Sequence, residues 1–283
     1  MRIISMMNQK GGCGKTTTAI NLSAYLADSN KKVLLVDLDP QGHSTSVFNN
    51  KENKFELELY DVFTKSVKLD DIINHQVYPH LDLAPTTIRL CAIEQYLSGQ
   101  IGRELQLRHH IKGLVSNYDY IIIDSPPHLG LLSINALFAS TDVIIPIETS
   151  SFSLQGVDQF LSTVDIVKEN SPDHSIRVMA LQTIYHHHYR ISRDILGQIQ
   201  NKFQDGTLKT VIRQNVKLRE AVQKGCPISI YDAHSLGAED YKSLAEEIIL
   251  QEKQTKVWTE NIYNTDEVFA TAILERDPKE AEL

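Results

Sequence analysis

The segment Lys10-Gly11-Gly12-Cys13-Gly14-Lys15-Thr16-Thr17 joins an apolar run, Ile3 to Met7, to a helical run, Thr18 to Ala27. A glycine-rich turn between a strand and a helix constrains a chain strongly, because its backbone N–H groups can close around a phosphate at the positive end of the helix. Lys15 can then reach β- and γ-phosphates, and the Thr16 hydroxyl can ligate Mg²⁺. The strict pattern G-x-x-x-x-G-K-S/T is not met, since Gln9 stands where its first glycine belongs. A second lysine, Lys10, enters the loop instead.

Two further motifs end strands in the same way. Lys31 to Val36 is a continuous apolar run after two lysines, of the kind buried on both faces of a parallel sheet, and it ends in Asp37-Leu38-Asp39-Pro40-Gln41-Gly42. Tyr120 to Ile123 repeats the arrangement and ends in Asp124-Ser125-Pro126-Pro127. Carboxylates at the C-terminal ends of strands lie where open α/β sheets bind ligands, and Asp124 can hold Mg²⁺ there directly or through water.

Strand and helix patterns alternate along most of the chain, which predicts an α/β fold with a doubly wound, mostly parallel sheet. Strands are expected at Arg2–Met7, Lys32–Asp37, Leu81–Pro85, Tyr120–Asp124, Asp142–Ile147, Arg177–Ile184 and Lys209–Arg213. Helices are expected at Thr16–Ser29, through most of Ile88–Ser116, and at Ser133–Ser140, Leu154–Asn170, Lys217–Gln223 and Ala238–Gln251, with a polar stretch at Asn49–Lys54. With 283 residues, 42% of them hydrophobic, the chain can bury one substantial core. The organisation expected is one domain, residues 1–253, and an acidic tail, 254–283, either solvated or docked through Val268–Leu274. The absence of an N-terminal signal pattern and of an apolar run near ~18 residues predicts a cytoplasmic protein with no membrane attachment. Cys13, Cys91 and Cys226 are too widely spaced for a C-x-x-C pair; Cys13, inside the loop, leaves a redox role open.

The net charge is −8, yet Thr207 to Lys224 carries Lys209, Arg213, Lys217, Arg219 and Lys224 against the single acid Glu220. Arg190 and Arg193 precede them at a candidate helix start. Such a cluster is either a solvated face or a surface that neutralises DNA phosphates without reading bases. The run His186-His187-His188 is read as an exposed or DNA-proximal loop in preference to a metal site.

The K-G-G-x-G-K-T-T loop resembles the deviant Walker A loop of the ParA/MinD family of ATPases, with Asp37–Gly42 as its switch I and Asp124–Pro127 as its switch II. The resemblance covers about residues 1–252 and implies a P-loop NTPase fold that uses ATP and Mg²⁺. It implies that Gly11, Gly12, Cys13, Gly14, Lys15, Thr16 and Thr17 cradle the phosphates, that Thr16 and Asp124 serve the metal, and that Asp39 positions the attacking water. Lys10 would reach the nucleotide of the partner in an ATP-dependent sandwich homodimer. The segment Arg213-Gln214-Asn215-Val216-Lys217-Leu218-Arg219-Glu220-Ala221 resembles the family's P-R-N-V-R-L-S-E-A stretch, which touches adenine and contributes to nonspecific DNA binding in segregation members. Arg213 and Asn215 are thereby candidate nucleotide contacts, and Arg190, Arg193, Arg213, Lys217 and Arg219 candidate DNA contacts. Arg213 replaces the family's proline and Gln214 one of its arginines, while Lys217 keeps only a charge. The function implied is partition of plasmid or chromosomal DNA, with nucleoid association in the ATP state and a ParB-type, DNA-bound partner that stimulates hydrolysis. The alternatives are a MinD-type ATPase that positions a protein assembly or acts on a membrane, and a metabolic P-loop ligase resembling dethiobiotin synthetase.

Overall fold

The computed structural model describes residues 1–48, 56–65, 67–114, 116–149, 155–171, 175–186 and 188–252. The expected tail, 254–283, lies outside the described residues, as do the polar stretch 49–54, Leu154 and His187. Strands β1 (Arg2–Met6), β2 (Val33–Asp37), β3 (Asn74–Tyr78), β4 (Leu81–Ala84), β5 (Tyr120–Asp124), β6 (Asp142–Glu148), β7 (Arg177–Tyr185) and β8 (Thr207–Arg213) form one sheet in the order β3-β4-β2-β5-β1-β6-β7-β8. All pairings are parallel except β3 with β4. Helices α1 (Lys15–Asp28), α2 (His43–Phe48), α3 (Leu59–Thr64), α4 (Ile93–Tyr96), α5 (Gln106–Lys112), α6 (Leu131–Ala139), α7 (Gln155–Asn170), α8 (Arg190–Phe203), α9 (Val216–Lys224), α10 (Ile228–Tyr231) and α11 (Leu236–Leu250) complete the fold.

The continuous apolar runs follow from burial on both faces. Ile3, Val36, Ile121, Ile123 and Val143 belong to one apolar cluster, and their alternating neighbours Ile4, Leu35, Ile122 and Ile144 belong to the other. Each such side chain contributes roughly 1.5–3 kcal/mol through burial. Because β1 has β5 and then β2 on one side and β6 on the other, the chain reverses direction across the sheet beside β1. That reversal opens a crevice at the strand ends where the loop 7–14 sits.

The structure corrects two expectations and extends a third. Ile88–Ser116 is broken into two short 3₁₀ turns, α4 and α5, because Gly99 and Gly102 adopt positive φ (78° and 71°) and interrupt the helix. An edge strand, β3, was not expected: it is polar and largely solvent-facing, and its pairing with β4 shifts register around Gln76, where φ is 53°. The candidate helix start at Arg190 extends through a full helix, α8. Among the described residues no helix is long and apolar enough to cross a membrane.

Neither sheet edge presents a regular open ladder. The twisted β3 edge offers no regular ladder, and on β8 the Lys209 and Thr210 N–H groups donate to the Glu247 carboxylate at 2.7 and 2.9 Å, while Arg213 N–H donates to Asp240 at 2.8 Å. At the opposite end of the sheet from the loop, Asp142 is fully buried between Arg2 (2.9 Å) and Arg177 (2.6 Å), and the Arg2 Nη1 also donates to the Ile248 carbonyl at 2.8 Å. Burial alone would raise the Asp142 carboxyl, but Arg2, Arg177 and the Thr141 hydroxyl outweigh it and hold its pKa below the ordinary carboxylate value.

Asp142→Ala strands the buried Arg2 guanidinium and should lower unfolding free energy by about 3–5 kcal/mol in a urea titration followed by circular dichroism. With its folded pKa depressed, Asp142 stabilises the wild type above the unfolded value of about 3.9, and the contribution is lost as pH falls through the folded value. The gap between wild type and Asp142→Asn should therefore be full near neutrality and shrink below about pH 4.

Candidate nucleotide and metal site

The loop is shaped by glycine where its backbone turns left-handed. Gly12 (φ 78°) and Gly14 (φ 97°) occupy conformations that side chains disfavour, and Gly14 directly precedes α1, accepting a 2.8 Å bond from Thr18 N–H. From the flank, the Thr183 hydroxyl on β7 donates to the Cys13 carbonyl at 2.7 Å, and the Thr149 hydroxyl donates to the Ile184 carbonyl at 3.1 Å. Ile184 itself has φ 53°, a strained value for a β-branched residue. The loop is thus braced by the ends of β6 and β7, strands far from it in sequence.

The two lysines of the loop are treated differently. Lys15 is 7% exposed, and its ammonium donates to the Lys10 carbonyl at 3.0 Å, lying along the loop it is expected to serve. Lys10 points outward, more than a third exposed, and its ammonium pairs with the Glu148 carboxylate at the end of β6, while its backbone N–H donates to Asn8 Oδ1 at 3.0 Å.

Asp37 and Asp124 are register partners on β2 and β5, and both are fully buried. Asp124 Oδ2 accepts the Ser44 hydroxyl at 2.8 Å, and Asp37 Oδ2 accepts the Thr45 N–H at 2.6 Å. The second oxygen of each carboxylate, Oδ1, is buried with no hydrogen-bond partner. Burial lifts the Asp124 carboxyl to about 6, against the opposing pull of the Ser44 and Thr16 hydroxyls and with Asp39 adding to the rise. Burial and then the charge of Asp124 push Asp37 well above the carboxylate range. Asp39 lies 8% exposed at the turn after β2, closed by a Gly42 N–H bond to its carbonyl at 2.8 Å, and its Oδ1 accepts the Gln41 N–H at 3.0 Å.

The residues anticipated from the C-terminal segment have different surroundings. The Arg213 guanidinium grips Asp240, with Nη2 at 2.6 Å from Oδ1, and reaches Glu239 at 3.0 Å. Two acids on α11 thus pair with Arg213 inside the chain, a competing partner for any contact it makes with nucleotide or DNA. Asn215 caps α9, its Oδ1 accepting the Lys217 N–H at 2.9 Å. Lys217 pairs with Glu220 at 2.9 Å and lies 5.7 Å from the Tyr231 ring centroid. Arg190, Arg193 and Arg219 are exposed. The His186 ring stacks on Tyr189 with centroids 4.6 Å apart, and among the described residues no cluster of three or more His, Cys, Asp or Glu is placed to hold a metal. Sequence reasoning missed Ser44, Thr45, Glu148 and Thr183; Glu148 and Thr183, like Asp37 and Asp124, are polar residues near the ends of apolar strands, a signal that was available.

The family model described as an AAA domain matches residues 1–178. The sporulation initiation inhibitor protein Soj of Bacillus subtilis is 42% identical over 247 residues, covering 87% of this chain and 98% of Soj. The chain belongs to the ParA/Soj family of partition ATPases. The chromosome partitioning protein ParA of Myxococcus xanthus is 36% identical over 249 residues, 88% of each chain. Among solved structures, the cobyrinic acid a,c-diamide synthase of Mycobacterium smegmatis with a bound ATP analogue and magnesium superposes with a TM-score of 0.79 at 29% identity, covering 90% of this chain and 97% of that one. A biosynthetic enzyme and the partition proteins share this fold, so architecture alone does not separate their functions. As a ParA/Soj-type protein the chain is an ATP-hydrolysing P-loop enzyme whose cofactors are ATP and Mg²⁺. The site fits the metal: hard oxygen donors from Thr16 and Asp124, with two orphaned carboxylate oxygens, are what Mg²⁺ accepts beside nucleotide phosphates.

Burial, opposed in part by Lys15, raises the Cys13 thiol above its ordinary pKa, and the thiol donates to the Lys10 carbonyl at 3.2 Å. That environment closes the redox role left open by the sequence. In the native protein a thiol reagent such as DTNB should label exposed Cys91 first and Cys13 only on unfolding, as read by peptide mass mapping; labelling of Cys13 at the rate of Cys91 would contradict the burial.

Proposed function

We propose that this chain is a ParA-type ATPase for DNA partition that binds ATP·Mg²⁺, dimerises with nucleotide between the subunits, and binds nonspecific DNA in that state. Hydrolysis, stimulated by a ParB-type DNA-bound partner, resets it. The observation that carries the reading is the division of labour between the two loop lysines, one buried along the loop and one directed outward at its rim. Lys15 and the backbone of Gly11 to Thr17 cradle phosphates in this reading, Thr16 and Asp124 hold Mg²⁺, which polarises the phosphates when bound, and Asp39 orients the attacking water. Lys10 supplies charge to the partner's nucleotide, for which it must first leave Glu148. With no arginine in the loop to stabilise the transition state, turnover alone is slow. Asn215 contributes to adenine recognition from the cap of α9.

DNA contact falls to Arg190, Arg193, Arg213, Lys217 and Arg219, with Arg213 having first to give up part of its pairing with Asp240 and Glu239. The protein then resides in the cytoplasm and joins the nucleoid when loaded with ATP.

Lys15→Ala should abolish nucleotide binding in calorimetry. Lys10→Ala should bind ATP with near wild-type affinity yet stay monomeric in sedimentation with a nonhydrolysable analogue; a normal dimer with full stimulated turnover would remove the cross-subunit role.

DNA affinity should appear only with ATP, be indifferent to sequence, and fall with salt by a slope of roughly −0.9 in log affinity per phosphate contact. Arg219→Glu should weaken binding to all sequences alike and flatten that slope in fluorescence titrations, with ATP affinity unchanged. An ATP dimer that ignores DNA at low salt and binds liposomes or a protein scaffold would transfer the function to positioning of another cargo.

A further inference from the structure

Helix α2 is bonded to both carboxylates of the metal site. Ser44 holds Asp124 Oδ2 through its hydroxyl, and the Thr45 N–H holds Asp37 Oδ2, both within the first turn. At its other end the helix meets α9. The Val47 and Ser46 carbonyls lie 3.7 and 4.0 Å from where a Cβ on Gly225 would stand, and Gly225 is the left-handed residue (φ 70°) that terminates α9. Phe48 packs on the apolar cluster that contains Leu218 and Ala221 of α9. Six residues therefore span the distance from the buried acids to the end of a helix that carries Lys217 and Arg219.

The phosphate side of the site reaches the same turn. Asn21 on α1 donates from Nδ2 to the Thr17 carbonyl at 2.8 Å, and its Oδ1 accepts the Ile228 N–H at 2.8 Å, just beyond Gly225. The far end of α9 is fixed by Arg213 on Asp240. One end of α9 is thus pinned, and the other rests on two elements that touch the metal and phosphate positions.

We propose that α2 carries the state of the Mg²⁺ site to α9, with Ser44 as the positioning residue that ties the helix to Asp124. The inference rests on the placement of Mg²⁺ at Asp124 and of DNA contacts on α9 argued above. The Asp124 oxygen without a partner, Oδ1, is the one open to a cation, while Oδ2 is held by Ser44. A cation that draws Oδ1 toward itself turns the carboxylate against its bond to α2. Because α2 is one and a half turns long and packed at both ends, the displacement is transmitted and not absorbed, as in any close-packed interior. A ligand shifts such an equilibrium only through contacts that differ between the two states, and the Ser44–Asp124 bond is such a contact.

Hydrogen–deuterium exchange on the full chain, with ADP and EDTA against ADP and Mg²⁺, reads the link without DNA or turnover. In the wild type, Mg²⁺ should change exchange at residues 43–48 and, by about fivefold or more, at 216–224. Ser44→Ala and Phe48→Ala should lose the change at 216–224, and Ser44→Thr, which restores the hydroxyl, should recover it. Calorimetry should show that Phe48→Ala still binds Mg·ADP, and Phe48→Leu, which keeps most of the packing, should give an intermediate loss. A response at 216–224 that survives both Ser44→Ala and Phe48→Ala overturns the proposal, as does a wild-type response confined to 43–48. No response at either segment removes the placement of Mg²⁺ at Asp124 as well, which separates that failure from a failure of the link alone.

Discussion

Asp37 and Asp124 are forced together by strand register, and much of the site is arranged around the cost of that pairing. Burial at adjacent strand ends lifts both carboxyls toward the neutral form, with the charge of Asp124 adding to the rise at Asp37 and that of Asp39 to the rise at Asp124. The surroundings answer with the Ser44 and Thr16 hydroxyls and the Thr45 N–H, and the Lys15 charge, its ammonium bonded to the Lys10 carbonyl, offsets the rise at Asp124 only in part. A divalent cation held at Asp124, as proposed above, would add positive charge to this arrangement. In that reading metal affinity is tied to the fold itself: the parallel ladder between β2 and β5 that makes the core also sets the two acids side by side.

The opposite pole of the sheet handles charge differently. Asp142 receives two guanidiniums and a hydroxyl, and its carboxylate is stabilised as an anion. One sheet thus holds buried acids in two ways, saturated at the end that only has to be stable and under-coordinated at the end that has to bind. This polarity follows from which strand ends face the crevice, and it explains why acids of similar burial differ in the direction of their shifts.

Most of the central sheet was legible in the sequence because β1, β2, β5 and β6 are buried on both faces and therefore appear as unbroken apolar runs. β3 was not, because an antiparallel edge strand with a positive-φ residue at Gln76 carries neither an apolar run nor a clean alternation. The over-long helix expected through Ile88–Ser116 failed at Gly99 and Gly102, whose spacing alone does not say that both turn left-handed. In the sequence, Lys15 and Thr16 stood out at the start of the helix after the glycine loop, and Asp39 and Asp124 as carboxylates at or just past strand ends. Glu148 and Ser44 matter through partners that only the fold supplies. The acids beside Arg213 were not legible, because counting charges in a window from Thr207 to Lys224 cannot see Glu239 and Asp240, which approach from another helix.

The sealed margins of the sheet limit how the molecule can associate. Glu247 and Asp240 occupy amides along β8, and the distorted β3 presents no regular row of donors and acceptors, so a neighbouring chain has no edge on which to continue the ladder. Copies that meet are left with helix faces and the rim where the strands terminate and the glycine loop lies. Side-by-side growth into a ribbon is blocked, and face-to-face closure over a shared ligand remains available. An assembly built in that way can come apart when the ligand between its halves is consumed, whereas one built on strand pairing would persist.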